Sequence, residues 1–209
     1  MFIKTLVVGE LQTNAYIVGC PETKAAAVVD PGAEGERLLK AAAAEGFTLR
    51  FILLTHGHAD HTGAVAALRR ATGAKVMVHR ADAPMLTNAA LNLSLYFSAG
   101  YTAGPPDGEL KDRDVIEIGK LTLEVRHTPG HTPGSVSFLG PGVVFSGDTL
   151  FAGSVGRTDF PGGSLQQLLR SVREQLLVLP DETVVYPGHG PATTIGEERA
   201  HNPFLTADW

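Results

Sequence analysis

Apolar positions recur along this chain in two rhythms, short runs with period two and longer stretches with helical spacing. Residues 2–8 and 14–19 read as strands, and 25–29 (Ala-Ala-Ala-Val-Val) as a third that ends in the turn signal Asp30-Pro31-Gly32. Glu34 to Glu45 places Leu38 and Leu39 among alanines and charges, which predicts a helix closed by Gly46. Phe51-Ile52-Leu53-Leu54 is apolar on both faces and so predicts a short central strand. A polar, His-rich loop follows, then a helix from about His61 to Ala71 that stops at Gly73. Lys75–Val78 predicts another strand and 81–87 a short helix, before an irregular stretch over 89–110. Loops of that length are uncommon and usually functional or mobile.

The second half repeats the strand rhythm. Val115–Ile118 and Leu121–Val125 predict a hairpin around Gly119-Lys120, and Val136–Leu139 with Val143–Ser146 a second around Gly140-Pro141-Gly142. Leu165–Leu177 carries Leu165, Leu168, Leu169, Val172 and Leu176 on one helical face. Thr183–Tyr186 predicts a last strand and Ile195–His201 a final helical turn or two. Strands followed by helix, twice over, predict two mixed sheets packed together with helices outside.

Composition narrows the function classes. With 209 residues, 44% hydrophobic and 19% charged, the chain has material for a substantial core, expected as one domain spanning 1–209. A net charge of −5 argues against a nucleic-acid partner. No apolar run approaches a membrane span and the N-terminus lacks a secretory signal, so a cytoplasmic location is expected. The single cysteine, Cys20, excludes a disulfide framework and a thiolate zinc cluster; at a strand end before Pro21 it reads as a buried or turn-lining thiol.

Chemistry concentrates in four segments. Thr55-His56-Gly57-His58-Ala59-Asp60-His61 follows the apolar strand; the others are His127-Thr128-Pro129-Gly130-His131-Thr132, Ser146-Gly147-Asp148-Thr149 and Tyr186-Pro187-Gly188-His189-Gly190. Residues two apart in extended backbone point the same way, so His56 and His58 can converge on one ion, with Asp60 and His61 reaching a second position beside it. Imidazole and carboxylate suit borderline and hard divalent ions, and the lack of thiolate fits a catalytic rather than a structural zinc site. Two dications against two carboxylates leave about +2, and a bridging hydroxide lowers this to about +1, a charge suited to a developing oxyanion. A lone histidine would read as a solvated loop residue; His-x-His-x-Asp-His with three matching segments does not.

These residues, in order and approximate spacing, resemble the metallo-β-lactamase fold superfamily over essentially the whole chain. The resemblance implies a four-layer αββα sandwich. It implies two divalent ions, zinc first with iron or manganese as alternatives. The first would be held by His56, His58 and His131 and the second by Asp60, His61 and His189, with Asp148 bridging and Asp30 steadying the site from behind the ligands. A finer resemblance is to glyoxalase II (hydroxyacylglutathione hydrolase) and its short bacterial relatives, in Gly147-Asp148-Thr149-Leu150-Phe151, Gly156-Arg157-Thr158-Asp159-Phe160, Gly188-His189-Gly190-Pro191 and the tail Glu198-Arg199 through Asn202-Pro203-Phe204. It implies hydrolysis of a small-molecule thioester such as S-lactoylglutathione. A metal-acidified water, its pKa lowered from ~16 to near 7, would attack, with Asp60 and Asp148 as the catalytic carboxylates. The chain departs from the family in two places. It ends before the helical domain with which full-length glyoxalase II binds glutathione, and Phe138 stands where the family has a tyrosine. The missing cysteine ligand and the presence of His61 argue against β-lactam hydrolysis. The alternative is a mono-iron persulfide dioxygenase of the same fold, its iron held by His56, His131 and Asp148.

Other residues carry two readings each. Arg157 either orients a substrate carboxylate or pairs with Asp159. His127 reads as a supporting loop residue, His79 as a surface or capping residue, and His201 as peripheral. Tyr96, Phe97 and Tyr101 read as a satellite cluster under the long loop, or as a lid.

Overall fold

The computed structural model describes residues 1–96 and 98–206. Its strands are β1 (Phe2–Val8), β2 (Thr13–Gly19), β3 (Ala25–Val29), β4 (Thr48–Leu53), β5 (Lys75–His79), β6 (Gly108–Leu110), β7 (Val115–Ile118), β8 (Leu121–His127), β9 (Val136–Gly140), β10 (Val143–Gly147), β11 (Leu150–Phe151), β12 (Ser154–Val155), β13 (Val184–Pro187) and β14 (Thr193–Thr194). The helices are α1 (Gly35–Ala44), α2 (Ala59–Thr62), α3 (Val65–Thr72), α4 (Leu165–Ser171), α5 (Ile195–His201) and α6 (Pro203–Thr206).

Six strands in the order β1-β2-β3-β4-β5-β6 form one sheet and six in the order β14-β13-β10-β9-β8-β7 the other. Both are mixed. In the first, β3, β4, β5 and β6 run parallel; in the second, β10 and β13 do. This is the expected four-layer sandwich, and strand alternation builds it. In β2, Tyr16 and Val18 join the core between the sheets while Ala15 and Ile17 face α1 and α3; in β3, Ala27 and Val29 divide from Ala26 and Val28 in the same way. Val144 and Val185 form the outer face of the second sheet, buried under Leu168, Leu169, Val172 and Leu176. Pairing of β3 with β4 skips Arg50, and the bulge sets exposed Arg50 aside so that Leu49 and Ile52 both face the helices.

Several predicted bounds shift for local reasons. The helix expected over His61–Ala71 is two pieces, α2 and α3. The amide of Ala64 donates to Pro31 O, and a side chain at Gly63 would collide with Gly32 O, so the chain steps aside where the two loops touch. The helix expected over Leu165–Leu177 becomes α4, capped by the Ser164 side chain, followed by a π-helical turn over Val172–Leu176; Leu165 is exposed rather than buried. The stretch over 89–110 contains a 3₁₀ turn at Ser94–Tyr96 and ends in β6. Among the described residues no helix is long and apolar enough to cross a membrane.

Candidate metal centre

Parallel β10 and β13 end at the same edge of the second sheet, delivering Asp148 and His189 in the loops that follow. Beside them, the loop after β4 brings His56 and His58, the start of α2 brings Asp60 and His61, and the loop between β8 and β9 brings His131. All seven predicted ligands meet there, in two groups. His56, His58 and His131 offer nitrogens within 4.8 Å of one another, as do Asp60, His61 and His189 with their ligand atoms. Asp148 stands between, 3.4 Å from His61 Nε2 and 3.7 Å from both His131 Nε2 and His189 Nε2.

The hydrogen-bond network fixes which nitrogen His131, His56 and His61 present. His131 Nδ1 donates to Arg157 O at 2.7 Å, leaving the Nε2 lone pair free. The Thr55 hydroxyl donates to Asp30 Oδ2 at 2.6 Å, so its oxygen accepts from His56 Nδ1 at 3.1 Å and the Nε2 lone pair of His56 is also free. His61 Nδ1 donates to Asp30 Oδ2 at 3.0 Å, with the same result. His131 Nε2 then faces His56 Nε2 at 3.2 Å and His58 Nδ1 at 2.9 Å. The Nε2 lone pairs of His56 and His131, pointed at each other at 3.2 Å, call for a cation between them. In the second group, buried His61 Nε2 and Asp148 Oδ1 have no hydrogen-bond partner. Unsatisfied buried groups are rare in native proteins, and an ion satisfies both. The donor set therefore fits two divalent cations.

Electrostatics agree. Burial, reinforced by the neighbouring imidazoles, holds His56 well below the ordinary histidine range and brings His58 down to about 3, so both stay neutral and available as ligands. Burial pushes Asp60 and Asp148 up, but His61 outweighs it and keeps both below the usual carboxylate range. Burial pushes His61 down, yet Asp60, Asp148 and Asp30 outweigh it and raise the ring well above the ordinary value, the proton on Nε2 being the one that an ion bound there would replace.

Asp30 takes its expected place behind the ligands, 1% exposed. It accepts from the Thr55 amide at 2.7 Å as well as from the Thr55 hydroxyl and His61. Arg157 lines the cavity of about 460 Å³ that opens onto the metal groups, while its guanidinium makes a two-pronged pair with Asp159 and lies 4.0 Å over the Phe160 ring. Leu93, Phe151, Val155 and Phe160 give that cavity apolar walls. Phe138, in contrast, is fully buried between the sheets and does not reach the cavity. Tyr96 is exposed and Tyr101 bonds Ala59 O; the long loop supplies Asn92 and Leu93 to the cavity instead, and the reading of Phe97 lies outside the described residues. His79 is buried rather than at the surface, stacked on His127 with ring centroids 4.2 Å apart; His201 is exposed against Glu197; Cys20 is buried.

Two supporting side chains escaped the sequence reading. Asn14, 4% exposed, donates into the His189 loop, and Asp82, fully buried, accepts hydrogen bonds from the loops that carry His56, His58 and His131. Each is a single polar residue in or beside an apolar strand, and neither belongs to a recurring pattern.

Comparison with known proteins places the site in a family. Residues 8–189 match the metallo-beta-lactamase superfamily domain. The hydroxyacylglutathione hydrolase GloC of Haemophilus influenzae is 36% identical over 99% of both chains. Among solved structures, the B3 metallo-beta-lactamase BLEG-1 superposes with a TM-score of 0.94 at 44% identity (99% of this chain, 100% of that one). TTHA1623 in a di-iron-bound form gives 0.85 at 42% (98% and 100%), and ETHE1 from Myxococcus xanthus 0.81 at 36% (97% and 84%). With the ligand groups, the sandwich and these relatives in agreement, the chain belongs to the metallo-beta-lactamase superfamily.

Proposed function

We propose that this protein is a thioester hydrolase of the hydroxyacylglutathione hydrolase type, working with two divalent ions, zinc first, on a small-molecule substrate. The observation that carries the reading is the completeness of the second ligand group, in which the unpartnered His61 Nε2 faces Asp60 and Asp148 with His189 beside them. Ions held there acidify a water and polarise a carbonyl oxygen. The protein's own groups do the rest. Asp60, kept ionised, holds charge at the second site and accepts a hydrogen bond from Thr13 at 3.4 Å, with His189 Nε2 3.2 Å away as a fellow ligand, so a water beside it is oriented by a fixed acceptor. The apolar walls of the cavity keep bulk water from the carbonyl. A thiolate leaves without a proton donor, so the reaction requires no general acid from the cavity residues. The 36% identity to GloC supports the thioester as substrate.

A second reading, a mono-iron persulfide dioxygenase using His56, His131 and Asp148, draws support from the two-histidine, one-carboxylate donor set that these residues form, an arrangement suited to iron and O₂. One experiment separates these readings. Protein purified without added metal is assayed for metal content, S-lactoylglutathione hydrolysis, oxygen uptake on glutathione persulfide and turnover of a β-lactam. The proposal expects two metal equivalents and thioester turnover without oxygen uptake. Oxygen uptake with one iron per chain, or turnover of the β-lactam alone, overturns it.

A further inference from the structure

We propose that Asp82 is the positioning residue of the first metal site, acting on that site alone, whereas Asp30 reaches His61 directly and His56 through Thr55. The proposal rests on the two-metal reading above. Asp82 follows β5 in a tight turn, fully buried and outside every ligand segment. Its Oδ2 accepts from the Gly57 amide at 3.0 Å and the Thr132 hydroxyl at 2.7 Å, and its Oδ1 accepts from the Gly134 amide at 2.7 Å. Gly57 lies between His56 and His58, and Thr132 directly follows His131. One carboxylate thus ties together the two loops whose imidazoles form the first group, and it touches none of Asp60, His61 or His189.

The local sequence is fitted to this contact. A side chain at Gly134 would come within 2.5 Å of Asp82 Oδ1, and one at Gly57 within 3.1 Å of Asp82 O and 2.6 Å of Met85 Cβ. Both loops therefore need glycine where they meet the carboxylate. The arrangement parallels Asp30, whose carboxylate also bonds a threonine hydroxyl and a backbone amide, both of Thr55, and in addition reaches His61. The Asp30–Thr55 pair reaches both groups, His61 directly and His56 through the Thr55 hydroxyl, whereas the Asp82–Thr132 pair reaches only the loops of the first. Asparagine cannot replace Asp82, because its NH₂ would face an amide or hydroxyl donor whichever way it turned. Outer partners of this kind typically contribute 10–100-fold to metal affinity.

The test isolates each site and uses zinc alone as the probe, with affinity measured by competition against a chelating dye and folding checked by circular dichroism. In a His189→Ala background, which leaves the first site, Asp82→Asn is expected to weaken zinc binding at least tenfold. In a His58→Ala background, which leaves the second site, the same change is expected to alter affinity less than twofold. If Asp82→Asn fails to fold, Thr132→Val, which removes one of the three bonds, is expected to weaken the first site threefold or more and spare the second. Equal losses at both sites, or no loss at the first, overturn the proposal. Absence of zinc binding in folded wild-type protein overturns the metal reading itself.

Discussion

Asn14 donates from its side-chain amide to two carbonyls flanking His189, Pro187 O at 3.0 Å and Gly190 O at 2.8 Å, while its backbone amide donates to Gly188 O. A residue at the start of β2 in the first sheet therefore sets the last metal-ligand loop of the second sheet, and the site is built across the seam between the sheets. Replacing Asn14 with Ala removes two hydrogen bonds, although Pro187 O keeps the Tyr16 hydroxyl and Gly190 is exposed. The expected cost is about 0.5–1.5 kcal/mol of stability per lost bond, read by denaturant unfolding, together with weaker zinc binding at the site containing His189.

Gly188 is required for space rather than conformational freedom. A side chain there would collide with Asp148 Oδ1 and approach His61 Cε1 to 2.8 Å. Gly188→Ala is expected to lower hydrolysis at least 100-fold while circular dichroism stays unchanged, because the methyl group displaces the carboxylate placed between the two metal groups. Activity within a few-fold of wild type would show that Asp148 need not stand where it does.

Glu198, 2% exposed on α5, accepts from the Gly153 amide at 2.9 Å, the Thr193 hydroxyl at 2.7 Å and the Asn202 side chain at 2.7 Å. It thereby anchors the β11–β12 hairpin, whose Phe151, Ser154 and Val155 line the cavity. Glu198→Ala is expected to raise KM several-fold with a smaller change in kcat, since the substrate wall moves and the ligands do not. Steady-state kinetics on the thioester reads the split.

The pH dependence of stability has a component outside the metal centre. Burial, helped by His127 and Arg80, brings His79 down to about 4, and its Nδ1 accepts from the Ala81 amide at 3.3 Å, which only the neutral ring can do. The unfolded chain protonates this residue near 6.5 and the folded chain near 4, so the unfolded state binds more protons between those values. Stability supplied by His79 is complete above about 6.5 and is lost as pH falls toward 4. The difference in Tm between wild type and His79→Gln, followed from pH 8 to pH 4, is expected to shift against wild type on acidification. A constant difference would contradict the assignment.

The candidate metal ligands were legible in sequence because each lies in a glycine- or proline-punctuated segment immediately beyond an apolar strand, where the chain has few ways to turn. His56 follows β4, Asp148 follows β10 and His189 follows β13. Period-two alternation likewise revealed the long strands. The two-residue strands β11, β12 and β14 carry no such period and exist only through pairing, as Val184↔Thr194 illustrates. The break between α2 and α3 depends on contact with a loop some thirty residues earlier, which helical spacing does not register. Asp82 and Asn14 were invisible for a related reason. Their partners lie 25 to 176 residues away, and a solitary polar side chain gives no pattern to read.

The central claim is that seven side chains hold two ions in one pocket. Anomalous diffraction from crystals of zinc-loaded protein tests it most directly. Two peaks are predicted, one among His56, His58 and His131 and the other among Asp60, His61 and His189, with Asp148 in reach of both. Zinc found only at surface residues, or no zinc among these imidazoles, would contradict it.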